Sequence, residues 1–163
     1  MSGKGTPATL VAAEAGAVHV LHEYSHDPTA ASYGLEAAEA LGIELGRVHK
    51  TLVVTVEHNG CWELAVGVVP VDAQLDLKAV ATAFGAKRAD MAKAVDAERS
   101  TGYVLGGISP LGQRKALPTV IDEDAILHDT IFVSAGRRGL EIELAADVLC
   151  TLTNAVYAPI AKR

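Results

Sequence analysis

The stretch VHKTLVVTVEHNGCWELAVGVV, residues 48–69, decides the fold of this chain. It contains two runs rich in β-branched residues, at 48–56 and 61–69, and Asn59-Gly60 lies between them. Asn-Gly favours the type I′ turn, because both central residues of that turn have positive φ and its twist matches that of the flanking strands. The stretch therefore predicts a β-hairpin.

Helix and strand signals alternate outward from this hairpin. Helices are predicted at 7–15 after the N-cap Thr6, at 34–41, at 77–84 after the N-cap Asp76, at 91–99, and along an apolar stripe that runs from Leu144 to Val156. Further strands are predicted at 17–24, 119–122, 130–134 and 140–143, with a tight turn at 135–139. Because the elements interleave irregularly around a hairpin, the sequence predicts an α/β (α+β) fold with a mixed sheet.

The composition limits both the architecture and the function classes. A length of 163 residues fits one domain, 1–163, and half of the residues are hydrophobic although only 4% are aromatic. The core is therefore expected to consist of Ala, Val, Leu and Ile. The net charge of −6 argues against a protein that holds nucleic acid alone by neutralising phosphates. It leaves open contact with a small part of an RNA that a partner holds.

The same composition argues against membrane insertion and secretion. No stretch free of Asp, Glu, Lys and Arg reaches the roughly 18–20 residues that a spanning helix needs. No apolar segment precedes Pro7, so no secretory signal is expected. Cys61 and Cys150 have no CxxC partner and follow the pattern of reduced, mostly buried thiols in a cytoplasmic protein.

Residues 22–26, HEYSH, match the H-E-x-x-H pattern of zinc proteases. That chemistry needs both histidines on one helical face, whereas His22 follows a β-rich run and Pro28 disfavours a helix at Asp27. On a strand, His22 and His26 would stand roughly 13 Å apart. We therefore expect a strand that ends in a polar loop at 25–32, without a metal site or another cofactor.

The stretch 102–112 is rich in glycine, and residues 107–114 have the glycine spacing of a Walker A loop. Gln113 and Arg114 stand where that loop needs lysine and a hydroxyl, which argues against an NTPase. The glycines then indicate either a close approach to a ligand or ordinary bulges and turns.

Lys50, at the start of an apolar strand, is either an edge charge or a pocket cation for a phosphate or an oxyanion. Ser134 lacks a G-x-S-x-G elbow, so no protein nucleophile is evident.

A more specific pattern extends over nearly the whole chain, with its segments in order. It consists of residues 21–28 (LHEYSHDP), 49–52 (HKTL), 74–78 (QLDLK), 99–113 (RSTGYVLGGISPLGQ), 117–119 (LPT), 131–134 (IFVS) and 139–144 (GLEIEL). This pattern resembles the YbaK/EbsC family of aminoacyl-tRNA editing proteins, which are similar to the editing domain inserted in bacterial prolyl-tRNA synthetases. The resemblance implies a curved, barrel-like mixed sheet with surrounding helices.

The resemblance also implies roles for individual residues. Lys50 corresponds to the pocket lysine that holds the phosphate or sugar of the terminal adenosine, and Gly106 and Gly107 correspond to the G-G-I-S-P glycines, whose backbone would stabilise the carbonyl oxygen. The implied substrate-binding residues are Tyr24, Tyr33, Thr51, Ser134 and Glu141. Close relatives carry Asp where this chain has Glu141, so the carboxylate is kept but extends one methylene further.

The implied activity is trans-editing deacylation of Cys-tRNA(Pro), with Cys-tRNA(Cys) as a further substrate, in which the substrate's own thiol attacks the ester. Alternatives are an Ala-tRNA(Pro)-type editing enzyme and a non-catalytic module that binds aminoacyl-tRNA or a nucleotide. Because of the acidic net charge, we expect docking to prolyl-tRNA synthetase to select the tRNA. The basic pairs at 87–88, 114–115 and 137–138 either line the acceptor stem or are solvated turns and helix ends.

Overall fold

The computed structural model describes residues 5–27, 29 and 33–163. Residues 1–4, 28 and 30–32 lie outside the described residues. The expected polar loop at 25–32 is therefore described only in part. The helices are α1 (Pro7–Glu14), α2 (Tyr33–Leu41), α3 (Leu77–Ala83), α4 (Ala94–Thr101) and α5 (Ala146–Thr153). The strands are β1 (Val20–Glu23), β2 (His49–His58), β3 (Cys61–Pro70), β4 (Gln74–Leu75), β5 (Arg88–Met91), β6 (Thr119–Asp122), β7 (Ile131–Arg137), β8 (Leu140–Leu144), β9 (Val156–Ala158) and β10 (Ala161–Lys162).

The predicted hairpin is confirmed. Strands β2 and β3 pair antiparallel from His49 opposite Pro70 to His58 opposite Cys61. The connecting Asn59 and Gly60 have φ of 51° and 82°. Two consecutive positive φ values define the primed turn that the Asn-Gly pair predicts.

The described strands form a five-stranded sheet in the order β5-β2-β3-β6-β9, a three-stranded sheet in the order β1-β8-β7 and a β4-β10 pair. β6 runs parallel to both β3 and β9, whereas β2 is antiparallel to β3 and β5. The expectation of a mixed α+β fold is therefore confirmed. The described strands belong to separate sheets and do not close into one barrel.

A parallel bridge between Val48 and Phe132 links the two larger sheets. It brings the first residues of β2 beside β7, which in turn pairs with β8. Helix α2 covers this junction, because its buried Ala37 and Ala38 pack against Val48 and Phe132. The junction thus places residues from distant parts of the chain on adjacent strands.

The core consists mainly of aliphatic side chains, as the composition predicts. The largest cluster joins the inner faces of both sheets to α1 and α5, for example through Val66, Val133, Ile142 and Leu149, which are all fully buried. α1 begins as predicted: Thr6 Oγ1 accepts a hydrogen bond from the Thr9 N–H, and Pro7 occupies the first turn.

Several predicted boundaries are wrong. The helix expected at 91–99 begins only at Ala94, because residues 88–91 form β5 and pair with β2. The final helix is shorter than the apolar stripe, since Leu144 belongs to β8, Val156 belongs to β9, and the helix ends at Asn154 in the left-handed conformation. The predicted turn at 135–139 is reduced because β7 continues through a bulge to Arg137.

The cysteine expectation also needs correction. Both thiols are free, but Cys61 is exposed and Cys150 is only half-buried. Cys61 is the first residue of β3, where the hairpin extends beyond the core. Its side chain is therefore exposed, although its neighbours in the sequence are apolar. Among the described helices, none is long and apolar enough to cross a membrane.

Candidate active site

A cavity of about 280 Å³ lies beside the junction of the two larger sheets. Every site residue predicted from the sequence except Gly107 lines it: Tyr24, Tyr33, Lys50, Thr51, Gly106, Ser134 and Glu141. These residues lie far apart in the chain, and the tertiary structure brings them together around one space.

The strands supply one side of the cavity. Ser134 on β7 lies directly opposite Glu141 on β8. The parallel bridge at Val48 and Phe132 brings Lys50, two residues further along β2, beside Ser134. Ser134 Oγ accepts a hydrogen bond from the Gly136 N–H at 3.2 Å, so its own hydrogen remains available as a donor. Lys50, Ser134 and Glu141 thus all line the cavity from neighbouring strands.

The aromatic wall comes from the two ends of the segment that joins β1 to α2. Tyr24 follows β1, where its N–H donates to the Gly139 carbonyl at 3.0 Å, and Tyr33 begins α2. The Arg138 guanidinium lies over the Tyr33 ring, 3.8 Å from its centroid. The same guanidinium donates to Tyr33 Oη at 2.5 Å and to the Leu105 carbonyl at 3.2 Å. Arg138 thereby connects the aromatic wall to the glycine-rich segment.

Gly106 needs to be glycine for two reasons. Its φ is +89°, a conformation that side chains disfavour, and a Cβ there would lie 2.5 Å from both the Tyr33 ring and Arg138 Nε. The Gly106 backbone can therefore pack directly against Tyr33 and Arg138. Here the close approach is to two side chains of the protein, and an approach of this backbone to a ligand stays a prediction.

Gly107 follows Gly106 directly in the chain but does not line this cavity. It lines a neighbouring cavity, and its N–H donates to the Val104 carbonyl at 2.9 Å. A Cβ on Gly107 would lie 2.8 Å from Arg137 Cα, so this glycine permits close packing of two backbones. Its N–H is already used within the loop, which leaves Gly106 as the glycine that faces the first cavity.

Burial dominates the electrostatics of the cavity. Glu141 is only 7% exposed, and burial raises the pKa of its carboxyl to about 8. It is therefore mostly protonated at neutral pH. Burial, followed by the nearby Glu141, also raises the pKa of Tyr24 to about 12. The cavity thus contains a neutral acid and a neutral phenol in addition to the lysine.

Further residues line the cavity that the sequence did not single out: Gly34, His49, Leu52, Leu105 and Ile108. His49 is buried, with Nδ1 3.2 Å from the Arg47 carbonyl, and burial lowers its pKa to about 4. Within the described residues, His49 Nε2 and Thr51 Oγ1 are buried without a hydrogen-bond partner. Only the position of His49 beside Lys50 could have pointed to it, because a histidine in an apolar strand has no distinctive pattern.

The HEYSH segment adopts the predicted strand end. His22 lies on β1, with Nε2 2.9 Å from Glu143 Oε1, whereas His26 follows the strand, with Nδ1 3.0 Å from Glu36 Oε1. The two imidazoles therefore contact different carboxylates. Among the described residues, no cluster of three or more His, Cys, Asp or Glu side chains could hold a metal ion.

Comparison with known proteins assigns this chain to a family. The family model described as "Aminoacyl-tRNA editing domain" matches residues 27–152. The chain belongs to this family, and the expectation of an aminoacyl-tRNA editing enzyme is confirmed.

Two relatives and two solved structures illustrate the similarity. EbsC of Enterococcus faecalis, named as a candidate Cys-tRNA(Pro)/Cys-tRNA(Cys) deacylase, is 46% identical over 76% of this chain and 73% of its own length. The multifunctional Ser/Thr-tRNA deacylase ProXp-y of Escherichia coli K12 is 33% identical over 52% of this chain and 51% of its own.

The two solved structures share the fold at lower identity. A candidate trans-editing enzyme for prolyl-tRNA synthetase superposes with a TM-score of 0.78 at 24% identity, over 98% of this chain and 99% of the other. The hypothetical protein APE2540 superposes with a TM-score of 0.84 at 22% identity, over 96% and 100%.

Proposed function

We propose that this protein is a trans-editing deacylase that clears cysteine from mischarged tRNA(Pro), and also from tRNA(Cys). The observation that carries the proposal is one cavity that brings together Lys50, Glu141 and the Gly106 backbone. Its described lining contains no cysteine, and its Ser134 and His49 are not hydrogen-bonded to each other, because His49 Nε2 has no partner and Nδ1 lies against the Arg47 carbonyl. The name of EbsC, which is 46% identical to this chain over 123 residues, supports the same substrates. We further propose that residues 1–163 act as one editing unit.

In this proposal the substrate supplies the nucleophile. The thiolate of the cysteinyl group attacks its own carbonyl carbon, a C–S bond forms, and the ester C–O bond breaks. The leaving oxygen takes up a proton and departs as the tRNA hydroxyl, and water then opens the cyclic thioester. The protein mainly has to hold the aminoacyl-adenosine in an attack-ready geometry, which contributes up to about 7–11 kcal/mol.

The cavity residues divide these tasks among them. The Lys50 ammonium holds the phosphate or sugar of the terminal adenosine, and the Gly106 backbone stabilises the negative charge that develops on the carbonyl oxygen. Tyr24, Tyr33 and Ser134 line the part of the cavity that surrounds the ester. Thr51 and Glu141 complete the substrate contacts, and Glu141 does so as a neutral acid, because burial raises its pKa to about 8.

Selectivity then follows from chemistry more than from fit. A hydrophobic pocket separates substrates that differ by one methylene by only about 1–3 kcal/mol. A serine hydroxyl is a much weaker nucleophile than a thiolate at neutral pH, and alanine has no nucleophilic side chain.

The net charge of −6 makes general tRNA binding weak. We therefore propose that docking to prolyl-tRNA synthetase in the cytoplasm selects the tRNA.

The direct test measures deacylation of Cys-tRNA(Pro), Ala-tRNA(Pro) and Ser-tRNA(Pro), each corrected for spontaneous hydrolysis. We expect the cysteinyl substrate to be cleaved by far the fastest. Lys50→Ala should lower kcat/KM at least about 100-fold because it removes the cation at the pocket. Lys78→Ala, at an exposed position on α3, is the matched control and should retain full activity.

Equal rates on the three substrates would refute the thiol mechanism, and a fully active Lys50→Ala would remove the lysine from the site. The similarity to ProXp-y favours one second candidate, a Ser/Thr-tRNA deacylase. Preference for the seryl ester would support that candidate, and preference for the alanyl ester would indicate alanine editing. Binding of tRNA without turnover would indicate a non-catalytic module.

A further inference from the structure

A second cavity, of about 540 Å³, adjoins the first one. Leu105 lines both cavities, and of the two consecutive glycines Gly106 faces the first and Gly107 the second. The glycine-rich segment therefore lies between two adjacent cavities. The second cavity is therefore the nearest space for the part of a ligand that extends beyond the first.

One side of the second cavity is cationic although the protein as a whole is acidic. Arg137 and Arg138 line it, together with His26. Arg138 is held in place by Tyr33 and the Leu105 carbonyl. Arg137 pairs with Glu23 at 3.1 Å, and both side chains of that pair are well exposed. Arg137 Nη1 also donates to the Arg138 carbonyl at 3.4 Å. Because exposed pairs contribute little to stability, a phosphate can compete with Glu23 for the Arg137 guanidinium.

The other side of the cavity offers exposed apolar surface. Val104 is 70% exposed and Leu105 43% exposed, although both lie within a well-defined loop. The loop geometry is fixed, because the Tyr103 hydroxyl donates to the Leu111 carbonyl at 2.7 Å and the Leu105 N–H donates to Glu98 at 3.0 Å. A cavity with arginine donors on one side and aliphatic surface on the other suits a ligand with a phosphate and a flat or apolar face. A nucleotide has both.

We propose that the second cavity binds the nucleotide that precedes the terminal adenosine, with its phosphate at Arg137 and its sugar and base against Val104 and Leu105. This inference rests on the proposed function, because it needs the aminoacyl-adenosine in the first cavity. Of the three basic pairs in the sequence, this inference assigns the pair at 137–138 to contact with RNA. Arg88, by contrast, bonds to Glu57 at 2.7 Å on the five-stranded sheet and lines neither cavity.

The test compares two small substrates that differ by that nucleotide. One is the 3′-cysteinyl ester of adenosine 5′-monophosphate, and the other is the same ester of pCpA, which adds the preceding cytidine and its phosphate. The readout is the ratio of the two kcat/KM values after correction for spontaneous hydrolysis. We expect this ratio to be at least about ten in the wild-type protein, since a charge-assisted hydrogen bond to phosphate is added.

Arg137→Ala should reduce the ratio to near one, and Arg137→Lys should restore part of it because the charge returns without the guanidinium geometry. Arg88→Ala is the matched control and should keep the wild-type ratio. The wild-type ratio should also fall as salt rises. A ratio near one in the wild-type protein, or an unchanged ratio in Arg137→Ala, would overturn this inference while the proposed function stands. Failure to cleave either ester would overturn both.

Discussion

The buried carboxyl of Glu141 makes the stability of the protein depend on pH in a way that one substitution removes. Its pKa is about 8 in the folded protein against 4.5 for an ordinary glutamate. Between these values the folded state binds more protons than the unfolded state, so the free energy of unfolding falls as pH rises from 4.5 through 8. Each pKa unit corresponds to about 1.4 kcal/mol, so the loss amounts to between about 2 and 5 kcal/mol above pH 8.

Glu141→Gln keeps the shape and the polarity of the side chain but cannot ionise. Urea unfolding of both proteins from pH 5 to pH 9 should show the variant gaining stability relative to the wild type as pH rises. Glu39→Gln, at an exposed position of α2, is the control and should run parallel to the wild type. If the curves of Glu141→Gln and the wild type stayed parallel, the carboxyl would not be held neutral by burial, and its description as a neutral acid in the cavity would be wrong.

Two further substitutions test other parts of the site. Gly106→Ala should lower the free energy of unfolding by at least about 2 kcal/mol, because both the positive φ and the close neighbours oppose a Cβ there. It should also displace Tyr33 and abolish deacylation. The control Gly42→Ala has a similar φ of +67° but no neighbour within 4 Å, so it should cost only about 1 kcal/mol and leave activity intact. An equal cost for both variants would contradict the packing argument. His49 stays neutral in the fold because burial lowers its pKa to about 4, so wild-type stability should fall as pH drops from 6.5 through 4, and His49→Gln should remove that slope in acid-side urea unfolding. A slope that survives the substitution would assign the acid sensitivity to other groups.

The local elements of the fold follow from the sequence wherever their signals are local. Asn59-Gly60 defines the hairpin because both residues accept positive φ, and Thr6-Pro7 and Asp76 define helix starts because their side chains or rings suit the first turn. The boundaries that failed depend on distant partners. Residues 88–91 become β5 because β2 offers them a free edge, and an apolar stripe alone does not reveal that Leu144 pairs with β7.

The candidate site likewise has features that the sequence predicts and features that depend on tertiary packing. The sequence by itself determined the family, since the lysine in H-K-T-L, two adjacent glycines and the order of the segments along the chain suffice for the resemblance that the family model confirms. Only the tertiary structure decided which of them meet: Gly106 faces the cavity and Gly107 does not, and Glu141 becomes a neutral acid. The physical reason is that spacing along one strand or turn is fixed by backbone geometry, whereas burial and cross-strand neighbours depend on how distant segments pack.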